Sequence, residues 1–99
     1  MILYNTTYYI RPDLEASFIR WWTDYMTPAI EKSDVVSNPR LLKILSNPDP
    51  QVKAFALHVE AGDQAAVELW EKRAADVNSL LTNEFGENVL WFSTVMEDF

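Results

Sequence analysis

From Ile2 to Ile10 the chain alternates along a period of two. Ile2, Tyr4, Thr6, Tyr8 and Ile10 fall on one side, and Leu3, Asn5, Thr7 and Tyr9 on the other. β-Branched and aromatic residues in that rhythm predict a strand. Both sides are partly apolar, so a central strand covered on two faces is expected. Arg11-Pro12-Asp13 ends it, with Asp13 expected to cap the next helix. Leu14, Phe18, Trp21 or Trp22, Tyr25 and Ala29 then recur at helical spacing. The helix is expected to reach about Glu31 or Lys32, with Pro28 kinking or stopping it near Thr27. Ser33 to Asn38 reads as a connection.

Pro39 to Leu45 reads as the second strand, with Leu42 and Ile44 inward and Lys43 opposite. Asn47-Pro48-Asp49-Pro50 reads as a turn, because two prolines cannot extend a ladder. In the third strand, Gln51 to Glu60, Phe55, Leu57 and Val59 alternate with Ala54, Ala56 and His58. Ala61-Gly62-Asp63 breaks the pattern, and Asp63 is placed to cap a second helix running to about Phe85. Its inner stripe is Ala66, Trp70, Ala74, Val77 and Leu81. Gly86 fits the position after the helix end, where a left-handed conformation is common. Asn88 to Met96 is the last strand, followed by the acidic tail Glu97-Asp98-Phe99.

The order β-α-β-β-α-β is the ferredoxin-like split arrangement. It predicts an α+β fold: a four-stranded antiparallel sheet with two helices on one face, in one domain over residues 1–99. Right-handed crossovers put the first and third strands in the middle and the second and fourth at the edges. The face left uncovered would carry Leu3, Asn5, Thr7, Leu41, Lys43, Leu45, Ala54, Ala56 and His58. From the last strand it would take either Leu90, Phe92 and Thr94 or Trp91, Ser93 and Val95. Such a face is too apolar to leave in water. Packing against a second copy would hide it, over an interface of roughly 1,600 Å² or more.

Composition narrows the picture. Hydrophobic residues make up 48% of the 99 and aromatics 13%, which excludes disorder and leaves apolar surface beyond the needs of one small core. No cysteine is present, so disulfides, thiolate metal sites and cysteine nucleophiles are excluded. The net charge of −7 argues against nucleic-acid binding and against anionic membranes. No apolar run approaches the roughly 20 residues of a membrane span, and Met1-Ile2-Leu3-Tyr4 lacks the features of a signal peptide. A cytoplasmic protein is expected. P-loop, GxGxxG, GxSxG and HExxH motifs are missing.

Three stretches carry a family resemblance. The chain opens with Met1-Ile2-Leu3-Tyr4-Asn5-Thr6-Thr7, continues with a tryptophan-rich helix, Trp21-Trp22-Thr23-Asp24-Tyr25-Met26-Thr27-Pro28, and closes with Gly86-Glu87-Asn88-Val89-Leu90-Trp91-Phe92-Ser93-Thr94. In these it resembles the dimeric α/β-barrel superfamily, and within it a small bacterial family of unknown function. Family members often carry histidine two residues before the helix proline, where this chain has Met26. The superfamily includes cofactor-free monooxygenases of aromatic polyketides, haem-degrading enzymes, lactone isomerases and proteins with no known activity. Fold similarity does not choose among these. In the cofactor-free monooxygenases, Asn, Trp and Tyr side chains are implicated. Here Asn5, Trp21 or Trp22, and Tyr25 supply those types.

Candidate chemistry is sparse. His58 is the sole histidine, readable as a haem ligand or general base, or as an ordinary strand residue satisfied by a neighbour. No partner lies at ligand spacing, so no metal and no cofactor are expected. Asn5, with Thr7 on the same strand face, suits the orientation of a carbonyl or a local hydrogen bond. The stripe from Phe18 to Met26 suits an aromatic pocket or plain core. Candidate pocket residues are thus Asn5, Thr7, Trp21, Trp22, Tyr25, Met26, His58 and Trp91, with no catalytic residue named. The expectation is a homodimeric structural or interaction module. The alternative is a small-hydrophobic-ligand site of a cofactor-independent monooxygenase or isomerase.

Overall fold

The computed structural model describes residues 1–46 and 49–98. The elements are β1 (Ile2–Ile10), α1 (Glu15–Trp21), α2 (Thr27–Lys32), β2 (Val36–Ile44), β3 (Lys53–Ala61), α3 (Gln64–Phe85) and β4 (Val89–Glu97). The strands form one antiparallel sheet in the order β2-β3-β1-β4. Two helical arms cover one face. This is the expected ferredoxin-like fold, with β1 and β3 central. Asn47 and Pro48 of the expected turn, and Phe99 of the tail, lie outside the described residues. The turn's second half is closed by Asp49, whose carbonyl accepts from Val52 N–H at 3.3 Å and whose carboxylate accepts from Gln51 N–H at 2.9 Å.

The first arm departs from plain helical spacing. α1 continues into a π turn, Trp22–Met26, and then into α2. A π turn bonds i to i+5 and so inserts one extra residue. The inner stripe therefore reads Phe18, Trp21, Met26 and Ile30, where unbroken spacing gives Tyr25 and Ala29. Tyr25 is 50% exposed as a result. Pro28 neither stops nor ends the arm. It sits at the start of α2, directly after the π turn, where the change from i+5 to i+4 bonding accommodates its missing N–H. Asp13 does not cap the arm. Its carboxylate accepts from Arg11 Nη2 at 2.9 Å, within a 3₁₀ turn at Pro12–Leu14.

β2 differs most from the expected pattern. Its register against β3 shifts between Ser37 and Arg40, and Asn38 there has φ 49°. Val36 opposes Ala61 on the helix side, but past the bulge it is Leu41 and Lys43 that oppose Leu57 and Phe55 there. A bulge adds one residue and swaps the faces. Leu42 and Ile44 consequently lie on the open face, and Leu41 and Lys43 under the helices. Lys43 Nζ pairs with Glu15 Oε1 of α1 at 2.8 Å.

α3 is capped as expected at its start and ends at the expected glycine, which has a positive φ but a ψ outside the left-handed helical region. Asp63 Oδ1 accepts from Ala66 N–H at 2.8 Å, and Gly86 follows with φ 58° and ψ −129°, a region only glycine enters freely. Its buried stripe is Val67, Trp70, Ala74, Asn78, Leu81 and Phe85, with Ala66 and Val77 half-buried beside it. Between arms and sheet the core is filled. Tyr8, Phe18, Trp21 and Phe55 form a ring cluster with centroids 5.1–5.8 Å apart. Tilted and edge-on rings at such distances each add about 0.5–1.5 kcal/mol beyond area burial.

Candidate functional site

The sheet divides the sequence-derived candidates into two groups. Asn5, Thr7 and His58 lie on the open face, since Asn5 opposes His58 on one side and Thr94 on the other. Trp21 and Met26 are fully buried under the helical arm, with Trp22 half-buried at its rim. Tyr25 points outward. Trp91 is half-buried on the helix side, its ring 6.3 Å from Tyr8. Among the described residues no pocket gathers Asn5 with Trp21, because the two lie on opposite faces of the one sheet.

On the open face the rows run straight across the strands. One row is polar: Arg40, His58, Asn5 and Thr94. Asn5 Nδ2 donates to Thr7 Oγ1 at 3.0 Å, which fixes the amide, while its shielded Oδ1 accepts from nothing among the described residues. The adjacent rows are apolar, with Leu42, Ala56, Thr7 and Phe92 in one and Ile44, Ala54, Tyr9 and Leu90 in the next. Tyr9 stacks on Phe92 at 5.9 Å. Leu90, Phe92 and Met96 are 67%, 52% and 40% exposed. Of the two alternation sets open for the last strand, this face takes Leu90, Phe92 and Thr94; Trp91, Ser93 and Val95 turn to the helices.

A second polar set, not singled out in the sequence, is buried on the helix side. Tyr8 O–H donates to Asn78 Oδ1 at 2.7 Å, and the hydroxyls of Thr6 and Ser93 meet at 3.1 Å. Burial pushes the Tyr8 phenol far above its ordinary value, against the opposing pull of the Asn78 hydrogen bond. Tyr4 is also raised, first by burial, with Ser93 pulling down and Glu71 pushing up. The indole N–H groups of Trp21 and Trp70 find no acceptor among the described residues. Asn78 had a signal: it stands four residues after Ala74 and three before Leu81, a polar residue on the apolar stripe. These groups are neutral, hydrogen-bonded or walled in by rings, an arrangement that specifies packing. Among the described residues no three of His, Asp and Glu cluster as a metal site would require, and no helix is long and apolar enough to cross a membrane.

Grooves occur at the margins of the sheet. One of about 390 Å³ lies where α3 meets β4, lined by Thr82, Gly86, Glu87, Val89, Leu90 and Trp91. A second, of about 310 Å³, shares Glu87 and Leu90 and extends over Tyr9 and Asn88. Both are open.

The model of a domain of unknown function (DUF4286) matches residues 1–99. The chain belongs to that family. No curated protein matches this DUF4286 chain. Solved structures do. A candidate antibiotic biosynthesis monooxygenase from Deinococcus radiodurans is 15% identical, with TM-score 0.75 over 100% of this chain and 93% of its own. An ethyl tert-butyl ether D family protein from Bacillus halodurans is 12% identical, with TM-score 0.70 and full coverage of both chains. A dimeric ferredoxin-like protein from an uncultured marine organism is 14% identical, with TM-score 0.50 over 98% of each chain. At such identities the likeness carries the fold alone: a four-stranded ferredoxin-like sheet with its helices on one face.

Proposed function

We propose that this DUF4286 chain works as a homodimeric structural or interaction module, one domain over residues 1–99. Two copies close their open sheet faces on each other to form the barrel. One observation carries the reading: an open face whose Leu90, Phe92 and Met96 stand 67%, 52% and 40% exposed in the single chain. Single chains rarely leave a contiguous apolar sheet face wet. The described neighbour that is named dimeric has the same fold, which supports the reading. A cysteine-free, acidic chain suits the cytoplasm. Sedimentation velocity over a dilution series tests the assembly. The expected species is about 23 kDa, twice the 11.5 kDa chain, persisting into low micromolar concentration; a species of one chain throughout refutes it.

A second reading rests on the groove beside Trp91, whose volume of about 390 Å³ lies in the range of small-ligand sites. The monooxygenase-like neighbours make a hydrophobic ligand the class to try. 1-Naphthol titrated against tryptophan fluorescence tests it: saturable quenching lost in Trp91→Phe supports a ligand site, and unsaturable quenching ends it.

A further inference from the structure

Arg40 and Glu60 carry the only formal charges among the described strand residues of the open face. They sit on neighbouring strands. Arg40 opposes His58, and Glu60, two residues along β3, opposes Ser37. Neither has an ion-pair partner within the chain among the described residues. One cation and one anion sum to zero on this face, while the whole chain carries −7. All of the net charge therefore lies elsewhere, and this is the face through which two like-charged copies meet with least repulsion.

Two-fold contact is isologous, so whatever residue i makes with residue j is made twice. Sheets packed face to face lie roughly 10 Å apart, a gap that an extended arginine and glutamate span together. They are offset by one strand, about 4.8 Å, and by two residues along it, about 6.8 Å, so about 8 Å in all, a diagonal that the arginine and glutamate side chains span together. We infer that two reciprocal Arg40–Glu60 ion pairs, one on each side of the two-fold axis, fix how the second copy docks. This rests on the proposed homodimer and names its specificity residues. Asn5 Oδ1, shielded and without a donor in the single chain, lies in the same row as Arg40. Truncating one member of a desolvated charge pair is costly because the other is left unpaired.

The test is sedimentation of charge-reversed variants, with circular dichroism to check folding. Arg40→Glu and Glu60→Arg each set like charges opposite one another at both contacts. Each alone is expected to weaken the dimer at least 100-fold. Mixed in equal amounts they are expected to assemble like the wild type, because each reversed charge now meets its opposite across the interface. Wild-type assembly by both single variants overturns the inference and leaves the homodimer standing. Two monomeric variants that fail to combine, yet fold, also overturn it. A monomeric wild type overturns the homodimer itself. If reversal prevents folding, Arg40→Gln and Glu60→Gln replace it. The expected result is then at least tenfold coupling in dimer affinity between the two sites, and independent effects refute it.

Discussion

Replacing Phe92 by alanine isolates what the open face contributes to assembly. Phe92 is 52% exposed in the single chain. A phenylalanine side chain presents on the order of 200 Å², so about 100 Å² of it awaits a partner. At about 25 cal/mol per Å² that burial contributes about 2.5 kcal/mol per copy. Two copies contribute about 5 kcal/mol, and the alanine methyl retains part, leaving a loss of about 4 kcal/mol. Each 1.4 kcal/mol is a decade in affinity, so the dimer dissociation constant should rise about 10³-fold. The variant also loses the Tyr9 stack, which lowers the stability of the single chain by about 1 kcal/mol. Assembly and folding must therefore be read separately, by sedimentation and by thermal unfolding at fixed concentration. Tyr25→Ala is the control, because Tyr25 is just as exposed but stands on the outward side of the helical arm. The reasoning fails if Phe92→Ala dissociates within threefold of the wild type, or if Tyr25→Ala weakens the dimer equally.

Other perturbations test the interior. Tyr8→Phe leaves Asn78 Oδ1 buried without its donor, costing about 1–3 kcal/mol. At about 4–8 °C per kcal/mol, calorimetry should show the loss, and adding Asn78→Leu should recover part of it. The raised Tyr8 pKa means that the folded chain holds a proton the unfolded chain gives up. Its contribution to stability is present below the ordinary tyrosine value near 10 and falls as pH climbs above it. Alkaline titration by ultraviolet absorbance should accordingly release this tyrosine only as the chain unfolds. Asp63→Ala removes the carboxylate that caps α3 and should cost about 1 kcal/mol in chemical denaturation. Gly86→Ala forces a side chain into a glycine conformation and should cost about 1–3 kcal/mol by the same assay, even though a Cβ there meets no atom within 4 Å.

Local repeats located all four strands and both helical arms, and residue type located the cap at Asp63, but β2 begins at Val36, inside the stretch Ser33 to Asn38 read as a connection. What the repeats missed depends on single extra residues. The π turn at Trp22–Met26 moves Met26 inward and Tyr25 outward, and nothing in the spacing from Phe18 onward announces it. The bulge between Ser37 and Arg40 reverses β2, putting Lys43 under the helices beside Glu15. Asn38 and Pro39 hint at irregularity there but do not say which way the faces turn. Both devices insert one residue, and one residue is enough to exchange faces. Candidate-site residues suffered for a different reason. Alternation puts Asn5, Thr7 and His58 on the uncovered face, where the register has them, but residue type alone grouped them with Trp21, which lies on the other side of the sheet. Tyr8 and Asn78, 70 positions apart, become partners only once the sheet and α3 are packed.

The open face is tested most directly by small-angle X-ray scattering of the wild-type chain. The single chain has a Cα radius of gyration of 13.3 Å and a thickness of 18 Å. Two copies packed sheet to sheet place their centres about 22 Å apart, which gives a radius of gyration of about 17 Å at twice the mass. A particle of one chain near 13 Å contradicts the account. So does a dimer near 20 Å, the value expected if copies join at their sheet edges and leave Leu90, Phe92 and Met96 in water.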